Sequence, residues 1–208
     1  MFKKLFLASL VVVPTAGYFY HGFHKTSPIS KTEVSPQIFL YIQHVGAYQK
    51  LNDSFQILEK DLKQFKQAGN KISGFKWTGI YYDDPRTEMD KTKHRASIGF
   101  WCDPSSQESV EAFLKKFPNY SISNIPQLTT VHSTLRYVSP ISILYAFHTI
   151  HSQLRDYAQK NNLTQDPSHL PLLEFYDIEG DHISYIDTHF AYGQDVDKLQ
   201  LSNSPAHR

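Results

Sequence analysis

One cysteine, Cys102, is present in a chain of 208 residues. It excludes an internal disulfide framework, favours a reducing compartment, and reads as a small buried apolar residue rather than a reactive thiol. No sign of charge dominates either: 21 basic against 20 acidic side chains leave a formal net charge of +1. Nothing electrostatic therefore points to nucleic acid as a partner. The composition is not that of a disordered chain, at 40% hydrophobic and 20% charged, and it suits one globular domain with a real core. What is plentiful is aromatic, 14% of the residues, as in a packed β-rich core or an aromatic-walled cleft.

Charge is also missing from Leu5 to Phe23, apart from the titratable His21. At about 1.5 Å per helical residue this run reaches roughly 28 Å, just enough for a hydrocarbon core of about 30 Å. Tyr18, Phe19, Tyr20 and Phe23 cluster at one end, where an interfacial belt would lie. Residues 1–23 thus read as an N-terminal membrane anchor. The competing reading is a cleaved signal peptide, broken at Pro14 with small residues at Thr15-Ala16-Gly17. Lys3 and Lys4 on one side balance Lys25 and Lys31 on the other, so the positive-inside count sets no orientation. Residues 24–36 read as a polar linker, 37–190 as the folded domain, and 191–208 as a flexible tail.

The folded part runs one programme twice. Gln37 to His44 reads as a strand. Leu51, Phe55, Leu58, Leu62 and Phe65 then mark an amphipathic helix that stops at Gly69-Asn70, and Phe75–Tyr82 and Arg95–Cys102 read as two further strands. A connecting helix follows, with Ser105 and Glu108 at capping-box spacing. The second copy opens with an extended stretch from Ser121 to Tyr137, interrupted by Pro126. Ser139-Pro140 starts a helix striped by Ile143, Leu144, Phe147, Ile150, Leu154 and Tyr157, and a hairpin of Leu170–Ile178 and His182–Ile186 closes it. Strand, helix, strand, strand, twice over, predicts an α+β fold: an antiparallel sheet with helices on one face.

One residue breaks the pattern. Glu174 lies mid-strand in Leu172-Leu173-Glu174-Phe175-Tyr176, and an unpaired buried charge there would be costly. Aligning Gly79 to Asp83 with Leu173 to Asp177 places Ile80 opposite it in the other copy. The expected arrangement has the helices covering Leu173 and Phe175, while Glu174 and Tyr176 line a groove on the opposite face. Glu174, Tyr176, Tyr82, Tyr48, Trp101 and Tyr185 form the candidate ligand-binding set, the carboxylate as counter-charge and the rings as walls. His148 and His151 are three apart on a helix, but no carboxylate accompanies them as in a His-Glu-x-x-His motif, so no metal or other cofactor is expected. Asn52, Asn119 and Asn162 begin glycosylation sequons, which matter only in a luminal domain.

Gly46-Ala47-Tyr48, Gly79-Ile80-Tyr81-Tyr82-Asp83-Asp84-Pro85 and Leu172-Leu173-Glu174-Phe175-Tyr176, with Leu135 to Ile143 and Ile183-Ser184-Tyr185, resemble the GyrI-like small-molecule-binding superfamily. Within it, the likeness is to membrane-anchored reticulophagy receptors of the endoplasmic reticulum. The resemblance implies a duplicated strand-helix-strand-strand fold and a non-catalytic domain binding a ligand or protein partner. It places that domain at the cytosolic face of the endoplasmic reticulum membrane, with Glu174 in a cleft that meets cationic or amphipathic ligands. Such receptors also carry a C-terminal arm with an aromatic-x-x-aliphatic docking motif. No such motif follows Phe190, and Phe55-Gln56-Ile57-Leu58 and Phe147-His148-Thr149-Ile150 fall on predicted core helices. The alternatives within the resemblance are a small-molecule hydrolase with Glu174 as general base, or a haem binder.

Overall fold

The computed structural model describes residues 26–84, 87–164, 170–179 and 182–201. The predicted anchor lies outside them, and no described helix is long and apolar enough to cross a membrane. Eight strands form one antiparallel sheet: β1 (Ser30–Val34), β2 (Gln37–Val45), β3 (Lys76–Tyr81), β4 (Arg95–Cys102), β5 (Ser121–Ile125), β6 (Leu128–Arg136), β7 (Leu172–Glu179) and β8 (His182–Ala191). The helices are α1 (Leu51–Gln67), α2 (Gln107–Lys116), α3 (Pro140–Tyr145) and α4 (His151–Lys160), with a π-helical turn, Ala146–Ile150, joining the last two. Gly69, at φ +84°, ends α1 in the left-handed conformation that glycine adopts without steric cost. Ser139 caps α3, with Ser142 returning the bond to the Ser139 amide. The connecting helix is capped differently from expectation: Asp103, not Ser105, accepts the free amide, that of Ser105, ahead of a 3-10 turn.

The strand order β1-β6-β8-β7-β3-β4-β2-β5 reads as two halves meeting at β7 and β3. The registers repeat with it. The cross-strand pair Phe39–Trp101 recurs as Thr130–Ala191, Trp77–Phe100 as Leu172–Phe190, and Tyr41–Ser121 as His132–Ser30. At the junction, Gly79 pairs with Glu174 and is its own image. The sequence alignment of the halves is therefore out by one: the counterpart of Glu174 is Gly79, not Ile80. In a strand that shift exchanges faces.

The face assignment needs the same correction. Leu172 and Tyr176 belong to the core under the helices, with Leu40, Ile98, Phe100 and the α1 residues Leu58 and Phe65. Leu173 and Phe175 pack on the other side, with Phe39, Tyr41, Ile80 and Trp101. Because both faces of the central strands are buried, alternation alone cannot say which one meets the helices. The far face is closed partly by residues expected to be loose. A 3-10 segment, Gly193–Leu199, buries Val196 and Leu199, and Leu199 and Leu201 join the second cluster. Part of the expected linker is likewise a strand, β1, which crosses to the second half to pair with β6 while β5 crosses to β2.

Candidate functional site: a groove over a buried carboxylate

Between α1 and the α3 end of the second helix lies a groove of about 1490 Å³. Leu51, Phe55 and Leu62 supply one wall, Ile143 stands on the other side, and Trp77, Tyr81 and Tyr176 line the sheet below. The π turn interrupts the stripe expected from a continuous helix. From its last residue onward the buried positions are Ile150, His151, Leu154, Arg155 and Ala158, while Ile143, ahead of it, is left 40% exposed at the groove. One extra residue per π turn rotates everything that follows, and such turns recur at functional sites.

Under the floor sits Glu174, 5% exposed. His151 Nε2 donates to its Oε1 at 2.6 Å and the Tyr176 hydroxyl donates to its Oε2 at 2.5 Å. With the Tyr176 proton committed, the Tyr81 hydroxyl, 2.6 Å away, donates to the Tyr176 oxygen. The result is a chain from groove to core: Tyr81, Tyr176, Glu174, His151. Burial pushes the Glu174 carboxyl up. The hydrogen bond and charge of His151, with the two hydroxyls, outweigh burial and hold it below its ordinary value. Burial and the Glu174 charge push both tyrosines well up, so they stay protonated donors.

Gly79 stands opposite Glu174, and a side chain there would force Tyr81 to shift. A Cβ on Gly79 would lie 2.8 Å from the Tyr81 ring, which occupies that space on its way to Tyr176. Around the chain, Tyr48 meets Tyr81 and Phe147 edge-on and fastens its hydroxyl to the carbonyl of Arg95 at 2.9 Å. Asp83 takes two guanidinium bonds from Arg95. One helical turn beyond His151, the buried Arg155 pairs with buried Asp84 at 3.1 Å, tying α4 to the end of β3. The acidic pair in the Tyr82-Asp83-Asp84 motif therefore holds the two halves' elements in place.

The six candidate residues separate. Tyr48, Tyr176 and Tyr185 line the groove; Glu174 lies beneath it, reaching it through the hydroxyls. Tyr82 and Trp101 are on the far face, in the second core cluster, and do not meet the groove. His151, Tyr81, Gly79 and the Arg155–Asp84 pair are the residues sequence reasoning missed. His151 and Arg155 left one trace: they fall at core spacing with Leu154 and Ala158 in the helix. Cys102 is buried as expected, and burial pushes its thiol up to about 12. Of the two docking-like tetrapeptides, Leu58 and Ile150 are buried in the main core.

No protein-family model and no curated protein matches the chain by sequence. By structure it is similar to SAV2435, solved bound to tetraphenylphosphonium, with a TM-score of 0.54 and 10% identity, covering 81% of this chain and 95% of that one. It is similar also to the EcmrR C-terminal domain, at TM-score 0.52 and 13% identity, covering 80% and 97%. EcmrR in its complex with DNA gives 0.52 and 14%, covering 91% of this chain and 68% of that one. At 10–14% identity these likenesses show a shared fold alone.

Proposed function

We propose that the chain is a non-catalytic binding domain for small amphipathic cations, carried on the endoplasmic reticulum membrane by residues 1–23. The observation that carries the reading is the aromatic groove floored by two hydroxyls that end on a buried, ionised carboxylate. Such a floor points its O–H bonds at the carboxylate and turns hydroxyl oxygens, not a bare charge, toward the ligand, and the rings add their own attraction for a cation. The wall already takes one: Lys66 Nζ lies 4.5 Å from the centre of the Phe75 ring. That SAV2435 was solved with tetraphenylphosphonium supports the ligand class.

We favour binding over hydrolysis because both Glu174 oxygens are engaged and its pKa is held low. A general base needs a pKa near the working pH and direct reach to the proton it abstracts, and Glu174 lies beneath the floor. The membrane placement rests on the apolar run Leu5–Phe23, and a cytosolic domain predicts that exposed Asn52, Asn119 and Asn162 stay unmodified in cells. Mobility that shifts on glycosidase treatment would put the domain in the lumen. For the ligand, the experiment is titration of the Trp101→Phe protein with tetraphenylphosphonium, reading the fluorescence of Trp77 in the groove. Saturable quenching with micromolar Kd, about −8 kcal/mol, is expected. Failure to saturate would refute the reading.

A further inference from the structure

A second cluster lies on the far face of the sheet, away from the groove. His132 on β6 and His189 on β8 face each other across the strands, their rings stacked at 5.0 Å. Asp187 stands between them: one oxygen is 2.9 Å from His132 Nδ1 and the other 3.1 Å from His189 Nε2. His189 is 4% exposed, and its Nε2, close to the carboxylate, makes no hydrogen bond of acceptable direction. The other ring nitrogen, Nδ1, is 2.9 Å from the buried Thr130 hydroxyl. In the tautomer whose Nδ1–H donates to the Thr130 hydroxyl oxygen, Nε2 keeps the lone pair that a metal takes.

The repeat supplies a control within the same molecule. The register pair His132–His189 corresponds to Tyr41–Gly99 in the first half, and Thr134–Asp187 to Gln43–Ser97. The sheet closes there without imidazole or carboxylate, so the fold does not need the triad. We propose that His132, Asp187 and His189 bind a divalent transition-metal ion of the zinc class. Two imidazoles and a carboxylate suit such an ion and leave a coordination position for water. Their donor atoms all lie within 4.8 Å of one another, against roughly 3.4 Å between ligands of a tetrahedral site with bonds of about 2.0–2.1 Å. Half-buried His132, whose side chain is 23% exposed, has the freedom to make that closure. Thr134 donates to Asp187 at 3.1 Å, and Phe175 packs edge-on against His189, so ligand orientation is supported from behind.

The test uses the whole chain, stripped with chelator and titrated with Zn²⁺ by calorimetry and with Co²⁺ by visible absorption. One-to-one submicromolar binding and the intense bands of tetrahedral Co²⁺ are expected. His132→Ala, at the half-exposed end of the triad, and Asp187→Asn should each weaken binding at least ~100-fold, and Thr130→Val by about 10–100-fold as for other groups that orient a metal-bound imidazole. His148→Ala, on the exposed face of the π turn, should change nothing. Circular dichroism of His132→Ala separates lost binding from lost fold. No stoichiometric binding, or binding that these triad variants leave unchanged, would overturn the proposal.

Discussion

Gly79 and Glu174 face each other at the junction of the two halves, and the side chain that Gly79 lacks is replaced by the ring of Tyr81. That ring carries a hydroxyl to Tyr176 and so to the carboxylate. Gly79→Ala should therefore do two things. It should destabilise the domain by about 1–3 kcal/mol, as overpacking does, and it should detach Tyr81 from Tyr176. Urea unfolding measures the first. A wild-type midpoint would show that the space is not needed.

Glu174 and His151 are one buried unit. Removing His151 alone, as His151→Leu, leaves the carboxylate without its cation-side partner and should cost about 3–5 kcal/mol. Replacing both residues with leucine removes the charge as well and should recover most of that loss. A double-mutant cycle in urea reads the coupling, and additive single effects would contradict the pairing.

Acid should unfold the protein in a defined window. A carboxyl whose folded pKa is depressed adds stability above its unfolded value and loses it as pH falls through the folded one. Asp187, lowered from 3.8 to about 2, should contribute about 2 kcal/mol that disappears between those two values. Glu174 adds a loss that begins as pH falls below its ordinary value of 4.5. Asp187→Asn should flatten the stability curve below pH 3.8 and lower the plateau at neutral pH. An unchanged slope would remove the assigned cause.

The Arg155–Asp84 pair makes a prediction about assembly of the halves. Both side chains are at least 95% buried, so Asp84→Asn should cost several kcal/mol by leaving a guanidinium poorly compensated, about 3–5 kcal/mol for a broken buried pair. The loss is read by thermal unfolding, and a change below about 1 kcal/mol would place the pair in solvent.

The order of elements was legible because it rests on periodicity. β4 spans the residues expected, Arg95–Cys102, and α1 contains the predicted stripe. Two short crossing strands behaved differently. β5 lay inside the extended stretch ahead of Pro126, but β1, half exposed at the sheet edge, carries no apolar alternation to announce it. The C-terminal turn is a few buried side chains in a polar segment, Val196, Leu199 and Leu201, which have no period to read. At the site, Glu174 stood out because a charge interrupts an apolar strand. Its partners did not, because a π turn rephases the helix before His151, and because tyrosine satisfies core and site readings equally. The faces of β7 were undecidable from alternation, since helices cover one and the C-terminal turn helps cover the other.

The central claim, that the groove reads positive charge through the hydroxyl chain to Glu174, is tested most directly by two probes of one shape and opposite sign. Tetraphenylphosphonium and tetraphenylborate are titrated into proteins with wild-type Glu174 and with Glu174→Gln, both carrying Trp101→Phe so that Trp77 is the reporter. The account predicts at least ~10-fold preference for the cation, about 1.4 kcal/mol, and its collapse in Glu174→Gln while the shared apolar affinity persists. Equal binding of the two ions with Glu174 in place, or a preference that Glu174→Gln leaves intact, would contradict it.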